Sequence, residues 1–277
     1  MSNDQAVADH YTSGGIWDRL RAALVDDGAD LEVLSIEDLA PYDQFHGRGL
    51  AATEELADGL RVIESDRILD VGSGLGGPAR YLANRFGCQM VGIDLTTEFC
   101  QVAERLNSLT GLDQSVRIHE GSALAMPFED SAFDGAYSMN VSMNIADRSS
   151  LYREIHRVLR PGAWLIFSEI AQGPNSGLDY PTPWARTEHE SFLLSPDETL
   201  GFLEASGFQA VTLTDMSAAS AEFGARSREL IERGEKPLQR AVQVVHGSDG
   251  RLAGTNISSG LKQKQILPIE VHCTKPG

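Results

Sequence analysis

The residues whose types and spacing could do chemistry are three glycines and two acids set around a strand–turn–helix. In ILDVGSGLGGPAR, residues 68–80, Gly72, Gly74 and Gly77 follow the spacing G-x-G-x-x-G. Side chains there would block a ligand from the backbone, and the helix that follows offers unpaired N–H groups. Asp94 closes the next strand twenty-two residues after Gly72, where its two oxygens can accept from both hydroxyls of a ribose. Asp70 lies inside the first strand, two residues before Gly72. The chemistry implied is the holding of an adenosine-bearing cofactor. The glycines alone serve a nicotinamide dinucleotide and S-adenosylmethionine equally.

Such a turn needs strands and helices in alternation to position it. RILDVG (67–72), QMVGIDL (89–95), SVRIHEG (115–121), FDGAYSM (133–139) and AWLIFSEI (163–170) read as five strands. PARYLANRFG (78–87), EFCQVAERLNSLTG (98–111) and RSSLYREIHRVLRPG (148–162) read as helices between them, the last stopped by Pro161-Gly162. SPDETLGFLEASGF (195–208) predicts a helix with Ser195 as N-cap, Pro196 at its first position and Glu198 completing a capping box. QAVTLTDM (209–216) predicts a strand, 219–246 one or two amphipathic helices, and QILPIEVHCTK (265–275) a last strand in which Pro268 marks an edge or a bulge. The fold class expected is α/β: a Rossmann-like, mostly parallel seven-stranded sheet with helices on both faces and an antiparallel last strand. Residues 1–60 form an N-terminal helical cap and 61–277 the Rossmann-like domain, with a lid insertion near 171–194 and a helical segment near 219–246.

Composition narrows the partners. The 277 residues suffice for one large domain, and a net charge of −17 with dispersed cations repels phosphate backbones and anionic lipid. Neither nucleic acid nor a membrane is an expected partner. The N-terminus MSNDQAVADHY has no basic region and no apolar core, so no signal peptide is expected, and no apolar run is long enough to cross a bilayer. Cys88, Cys100 and Cys273 are too scattered for a disulfide framework and fit a reducing cytoplasm. His10, His119, His156, His189, His246 and His272 show no ligand spacing, so no metal site is read. A homodimer is one arrangement the sequence allows.

Three details separate the two cofactors. A carboxylate at Asp70 would face a pyrophosphate unfavourably but suits the ammonium of a methionine moiety. GSALAMPFEDSAFDGAYSMN (121–140) places a polar turn, then PF, then FD entering an apolar strand, which is not a dinucleotide feature. RVLRPGAWLIF (157–167) joins a helix, a Pro-Gly stop and a buried strand. With these motifs in this order, the run from about 66 to 170 resembles the class I S-adenosylmethionine-dependent methyltransferases. YDQFHGRGLAAT before the sheet and GSGLGGPARYLA resemble the small-molecule branch, which includes glycine, sarcosine and dimethylglycine N-methyltransferases and phosphoethanolamine methyltransferases.

The resemblance implies roles residue by residue. Backbone at Gly72, Ser73 and Gly74 would hold the methionine end, with Asp70 beside it. Asp94 would hold the ribose and Leu95 would lie against the adenine. Ser122 stands where the family usually carries an acid that accepts from the adenine amino group, and Ala123 would offer its N–H to the ring. Asn140 would lie near the methionine portion, and Gln44 is counted with the cofactor-binding residues. In the phosphoethanolamine branch a histidine after strand four pairs with an N-terminal tyrosine. Here Tyr11 is in place but Asn144 replaces the histidine, and an amide is no general base. Phosphoethanolamine is therefore a poor substrate expectation.

Catalysis is then expected to rest on holding the acceptor, with Tyr11, His46, Asn144 and Glu169 as the candidate catalytic groups. His46 is the best proton acceptor among them, or else only orders its loop. Glu169 is expected at the ligand edge of strand five, or else caps the following loop. Trp184 walls the acceptor pocket or pins the lid. The function expected is methyl transfer to a nitrogen or oxygen of a small-molecule acceptor. Carbon methylation of a natural product is the alternative. An NAD-dependent oxidoreductase lacks the Tyr-x-x-x-Lys or His–Asp set it would need.

Overall fold

In a computed structural model of the chain, residues 3–277 are described, so the first two positions of the cap expected over 1–60 lie outside the described residues. The cap is built of four helices: α1 (Asn3–Tyr11), α2 (Ile16–Asp26), α3 (Ile36–Asp43) and α4 (Leu50–Gly59). Ser35 starts α3 through a capping box with Asp38. Ile16, Leu20, Leu24 and Leu39 of the cap are buried in one cluster with Leu75, Leu106 and Val245 of the rest of the chain. The cap thus shares an apolar core with the sheet domain, and separating the two would expose it.

The sheet carries β1 (Arg67–Val71), β2 (Gln89–Asp94), β3 (Val116–Glu120), β4 (Phe133–Met139), β5 (Leu159–Gln172), β6 (Gln209–Asp215) and β7 (Ile266–Thr274) in the order β3-β2-β1-β4-β5-β7-β6. The pairings from β3 to β5 are parallel, and β7 runs antiparallel between β5 and β6. Helices α5 (Gly77–Phe86), α6 (Thr97–Leu109), α7 (Arg148–Val158) and α8 (Pro196–Ala205) connect the strands. Alternate residues of β1 serve two cores: Leu69 and Val71 pack with α7 and α8 residues such as Ile155 and Leu203, while Ile68 packs with α5 and α6 residues such as Leu82 and Ala103. Strand order reverses beside β1, between β2 and β4, which opens a crevice at the C-terminal ends of β1 and β4.

Three sequence expectations are corrected. The helix expected to run to residue 162 stops at Val158, because the residue before Pro161 is excluded from helical geometry. Lys275 Nζ covers the freed carbonyls of His156 and Leu159 at 2.8 and 2.7 Å, and β5 begins at Leu159. Pro268 is neither at an edge nor in a bulge: β7 has neighbours on both sides. The Pro268 carbonyl accepts from Met216 N–H at 2.9 Å, just past the last β6–β7 register pair at Asp215. The missing N–H therefore points to that side and takes nothing from the β5 ladder.

The segment expected to be helical over 219–246 is α9 (Ser217–Glu232) and α10 (Ala241–His246), and a further helix, α11 (Gly250–Lys262), follows where none was expected. Its sequence GRLAGTNISSGLK holds three glycines and two serines, a weak helix former. Burial of Ala253, Asn256 and Gly260 holds it instead. The irregular stretch after β5 packs Trp184 and Ala185 into a small core with Met143, Ile170 and Ile266. Pro183 and Trp184 of this stretch line a second cavity beside the crevice. Among the described residues no helix is long and apolar enough to cross a membrane.

Candidate active site

The glycines of the turn have separate reasons. A Cβ on Gly72 would come within 2.3 Å of the Val141 side chain, and its φ of 74° is left-handed. A Cβ on Gly77 would meet the Asp43 carbonyl at 2.6 Å. Both are forced by protein packing. Gly74, at φ 51°, has nothing within 4 Å of where its Cβ would be. Only Gly74 matches the expectation of a bare backbone facing ligand space. Ile93 O accepts from Gly72 N at 2.8 Å and Ser73 N at 3.1 Å, which ties the turn to the end of β2.

The crevice is a cleft whose lining includes Asp70, Ser73, Asp94, Leu95, Ser122 and Ala123. Asp94 Oδ2 accepts from Gly74 N at 2.8 Å and Oδ1 from Thr96 N at 2.9 Å, so each oxygen is oriented and keeps a lone pair. Ser122 Oγ accepts from Leu124 N at 3.2 Å. Asp70 and Ser73 differ from these. Asp70 Oδ2 and Ser73 Oγ are buried and have no protein partner. Burial raises the Asp70 carboxyl to about 7; the Asp94 carboxylate adds to this, and Tyr137 and Arg80 work against it. A buried carboxylate with the Tyr137 hydroxyl beside it and one oxygen left unpartnered is costly, and a ligand cation would lower that cost.

On the cap side, Tyr11 OH donates to Asn144 Oδ1 at 3.1 Å, so the structure joins the two residues that sequence alone could only place in order. Burial pushes the Tyr11 hydroxyl well above its ordinary range, against the effect of Asn144. Asn140, at φ 59°, accepts from Gly47 N at 3.4 Å. His46 is buried, with Nδ1 3.2 Å from Gly47 O and Nε2 3.2 Å from both Gln44 Oε1 and Thr53 Oγ1. Burial lowers its imidazole to about 4, so it is neutral near pH 7 and a weak base.

Two expected residues lie elsewhere. Gln44 is fully buried behind the wall of the cleft, its side chain engaged by Asp43, Thr53 and His46. Glu169 does not line the cleft. It accepts from Ser142 Oγ and, at 3.0 Å, from Thr199 Oγ1, which bolts the turn after β4 to α8. Burial raises its carboxyl and Arg148 opposes the shift.

Residues 69–167 match the protein family described as Methyltransferase domain. The O-methyltransferase rstn1 of Aspergillus nomiae is 30% identical over 178 residues, 62% of this chain and 78% of that one. The chain belongs to the class I S-adenosylmethionine-dependent methyltransferases. The chain is also 28% identical over 179 residues to the sarcosine/dimethylglycine N-methyltransferase of Halorhodospira halochloris. That match covers 65% of the chain and 64% of the relative, so the chain spans just under two thirds of the relative's length. In fold it resembles geranyl diphosphate C-methyltransferase from Streptomyces coelicolor A3(2), with a TM-score of 0.71, 17% identity and coverage of 99% and 98% of the two chains.

The cleft also has lining residues that the sequence did not mark. Asp4 and Val7 of α1 and Phe99 of α6 join the cleft. Phe99 was legible as an apolar residue of a helix, but its neighbours Tyr11 and Phe45, at ring distances of 5.5 and 6.2 Å, come from distant segments. Asp43 also reaches the cleft, and it pairs with the buried Arg80 of α5 at 2.9 Å. Nothing in local pattern marks such a pair.

Proposed function

We propose that the protein transfers a methyl group from S-adenosylmethionine to a nitrogen or oxygen of a small-molecule acceptor. The observation that carries this reading is the pair of unpartnered buried groups, Asp70 Oδ2 and Ser73 Oγ, beside a glycine turn and an oriented Asp94. These residues fit the cofactor: Asp70 suits its ammonium, Asp94 its ribose hydroxyls, Leu95 and the Ser122–Ala123 turn its adenine. When bound, the cofactor supplies a methyl carbon on an electrophilic sulfonium.

The protein's own part is positioning. The Tyr11–Asn144 hydrogen bond and Asn140 offer a polar edge at which an acceptor's nucleophile is oriented, while the cap excludes water. His46 has protein partners at both ring nitrogens and is neutral, which favours its role in ordering the loop over proton abstraction. Glu169 acts on the site only through Ser142, by fixing the turn that carries Asn144. With no strong base at hand, an amine must arrive unprotonated. Carbon methylation is the second reading, and the apolar second cavity is the observation in its favour.

Titration calorimetry with S-adenosylhomocysteine tests the proposal. Asp94→Ala removes the ribose acceptor and frees the Gly74 and Thr96 amides. It is expected to weaken binding by about 2–3 kcal/mol, the scale of lost hydrogen bonds to a charged group. Wild-type affinity in this variant, or tighter binding of NAD than of S-adenosylhomocysteine by the parent protein, would refute it.

A further inference from the structure

We propose that the second cavity is the acceptor chamber and that it selects uncharged acceptors with an apolar body, rejecting amino acids and phosphate esters; this rests on the methyl-transfer reading above. The cavity adjoins the cofactor cleft, and Tyr11, Phe45, His46 and Asn140 line both. A nucleophile held there would sit beside the Tyr11–Asn144 hydrogen bond. Beyond this junction the walls are Met143, Pro183, Trp184, Val242 and Ile257. Trp184 spends its indole N–H on Ser191 Oγ at 2.8 Å. Gln239 donates its amide to the carbonyls of Gln44 and His46.

Charge is absent from this chamber. Among its described lining residues there is no Asp, Glu, Lys or Arg, and His46 is held neutral by burial. The acids of the site, Asp4, Asp43, Asp70 and Asp94, all belong to the cofactor cleft. Inside the chamber an acceptor carboxylate or phosphate would meet no cation and an ammonium no carboxylate; Arg240, Arg251 and Lys262 line a neighbouring groove that shares Gln239, Val242 and Gly254 with it. The net charge of −17 opposes an anion further. Sarcosine, named for the Halorhodospira halochloris relative, carries a carboxylate, so the acceptor class here departs from that relative.

A matched pair of fluorescent probes tests this on the full chain saturated with S-adenosylhomocysteine. N-phenyl-1-naphthylamine is neutral, and 8-anilinonaphthalene-1-sulfonate is the same skeleton bearing a sulfonate. The neutral probe is expected to bind at least tenfold more tightly. Ile257→Lys, which puts an ammonium in the wall, should weaken the neutral probe at least tenfold and narrow or reverse the ratio. Gly254 lies on α11 between the chamber and the neighbouring groove, lining both, with open space at its Cβ position. Gly254→Leu improves helix propensity and should reduce probe binding by filling the chamber. In both variants unchanged affinity for S-adenosylhomocysteine reports an intact fold and cofactor cleft. Equal binding of the two probes, no binding of the neutral one, or variants that leave its affinity unchanged would overturn the chamber proposal alone. Failure of S-adenosylhomocysteine to bind the parent protein would instead remove the methyl-transfer reading.

Discussion

Asp70 is where the demands of the fold and of the cofactor oppose each other most directly. Burial holds its carboxyl near 7, so the folded chain takes up a proton there more readily than the unfolded chain does. With a raised folded pKa, its contribution is most favourable below the ordinary value of 3.8 and is lost as pH rises to about 7, by about 1.4 kcal/mol per unit. Asp70→Asn removes the buried charge. At pH 8 the ligand-free variant is expected to be more stable than wild type by about 2 kcal/mol in urea unfolding. The same variant should bind S-adenosylhomocysteine at least tenfold more weakly. Wild-type affinity should fall as pH drops below about 7 and Asp70 becomes protonated, whereas the variant should show no such slope. Equal slopes would show that Asp70 does not meet the ligand's ammonium.

The glycine turn depends on an element the sequence did not connect to it. Asp43 closes α3, and its carboxylate pairs with Arg80 Nη2 of α5 at 2.9 Å, with the two side chains 1% and 0% exposed. Arg80 also donates to Asn107 Oδ1 at 2.8 Å and to the Leu75 carbonyl, so one guanidinium joins cap, turn and α6. Asp43→Ala would strand a buried guanidinium, and a loss of about 3–5 kcal/mol is expected. Replacing both partners, Asp43→Ala with Arg80→Met, should recover a large part of that loss. A double variant as unstable as the sum of the singles would show that the pair contributes nothing by pairing. The strands and α5 to α8 were legible because periodicity and caps such as Ser195–Glu198 are local. The Asp43–Arg80 pair and α11 were not, because each exists only through long-range packing.

At the scale of the molecule, three distant segments meet at one carbonyl. His10 of α1 and His246 of α10 both hydrogen-bond Pro183 O, at 3.2 and 3.0 Å, and their rings lie 5.2 Å apart. Each therefore carries a proton on Nε2, the donor to that carbonyl. Burial lowers the His246 imidazole to about 4; His10 and Arg186 lower it further, and the Pro183 carbonyl and Asp249 oppose them. A histidine with a depressed folded pKa favours the fold at neutral pH, and that benefit is lost as pH falls from 6.5 toward 4. Relative to His246→Gln, wild-type stability should decline by about 1.4 kcal/mol per pH unit over this range. Raised carboxylates such as Asp70 are common to both proteins and cancel in the difference. A difference independent of pH would mean that His246 is not held neutral at this junction.

The parallel sheet, the turn, Asp94 and the acid at Asp70 could be read from the amino-acid sequence, because each is a local pattern with a local cause. The Tyr11–Asn144 contact was half legible: sequence put Tyr11 and Asn144 in register with a known pair, and only folding brought them to 3.1 Å. Tertiary structure alone decided the rest. Asp70 has its raised pKa because the chain around it excludes water. Gln44 and Glu169, polar residues expected at the ligand edge, face other buried polar groups because those groups need partners more than the cleft does. The second cavity exists because α10, α11 and the segment after β5 converge on the cap from positions up to about 250 residues apart, a distance across which hydrophobic periodicity carries no information.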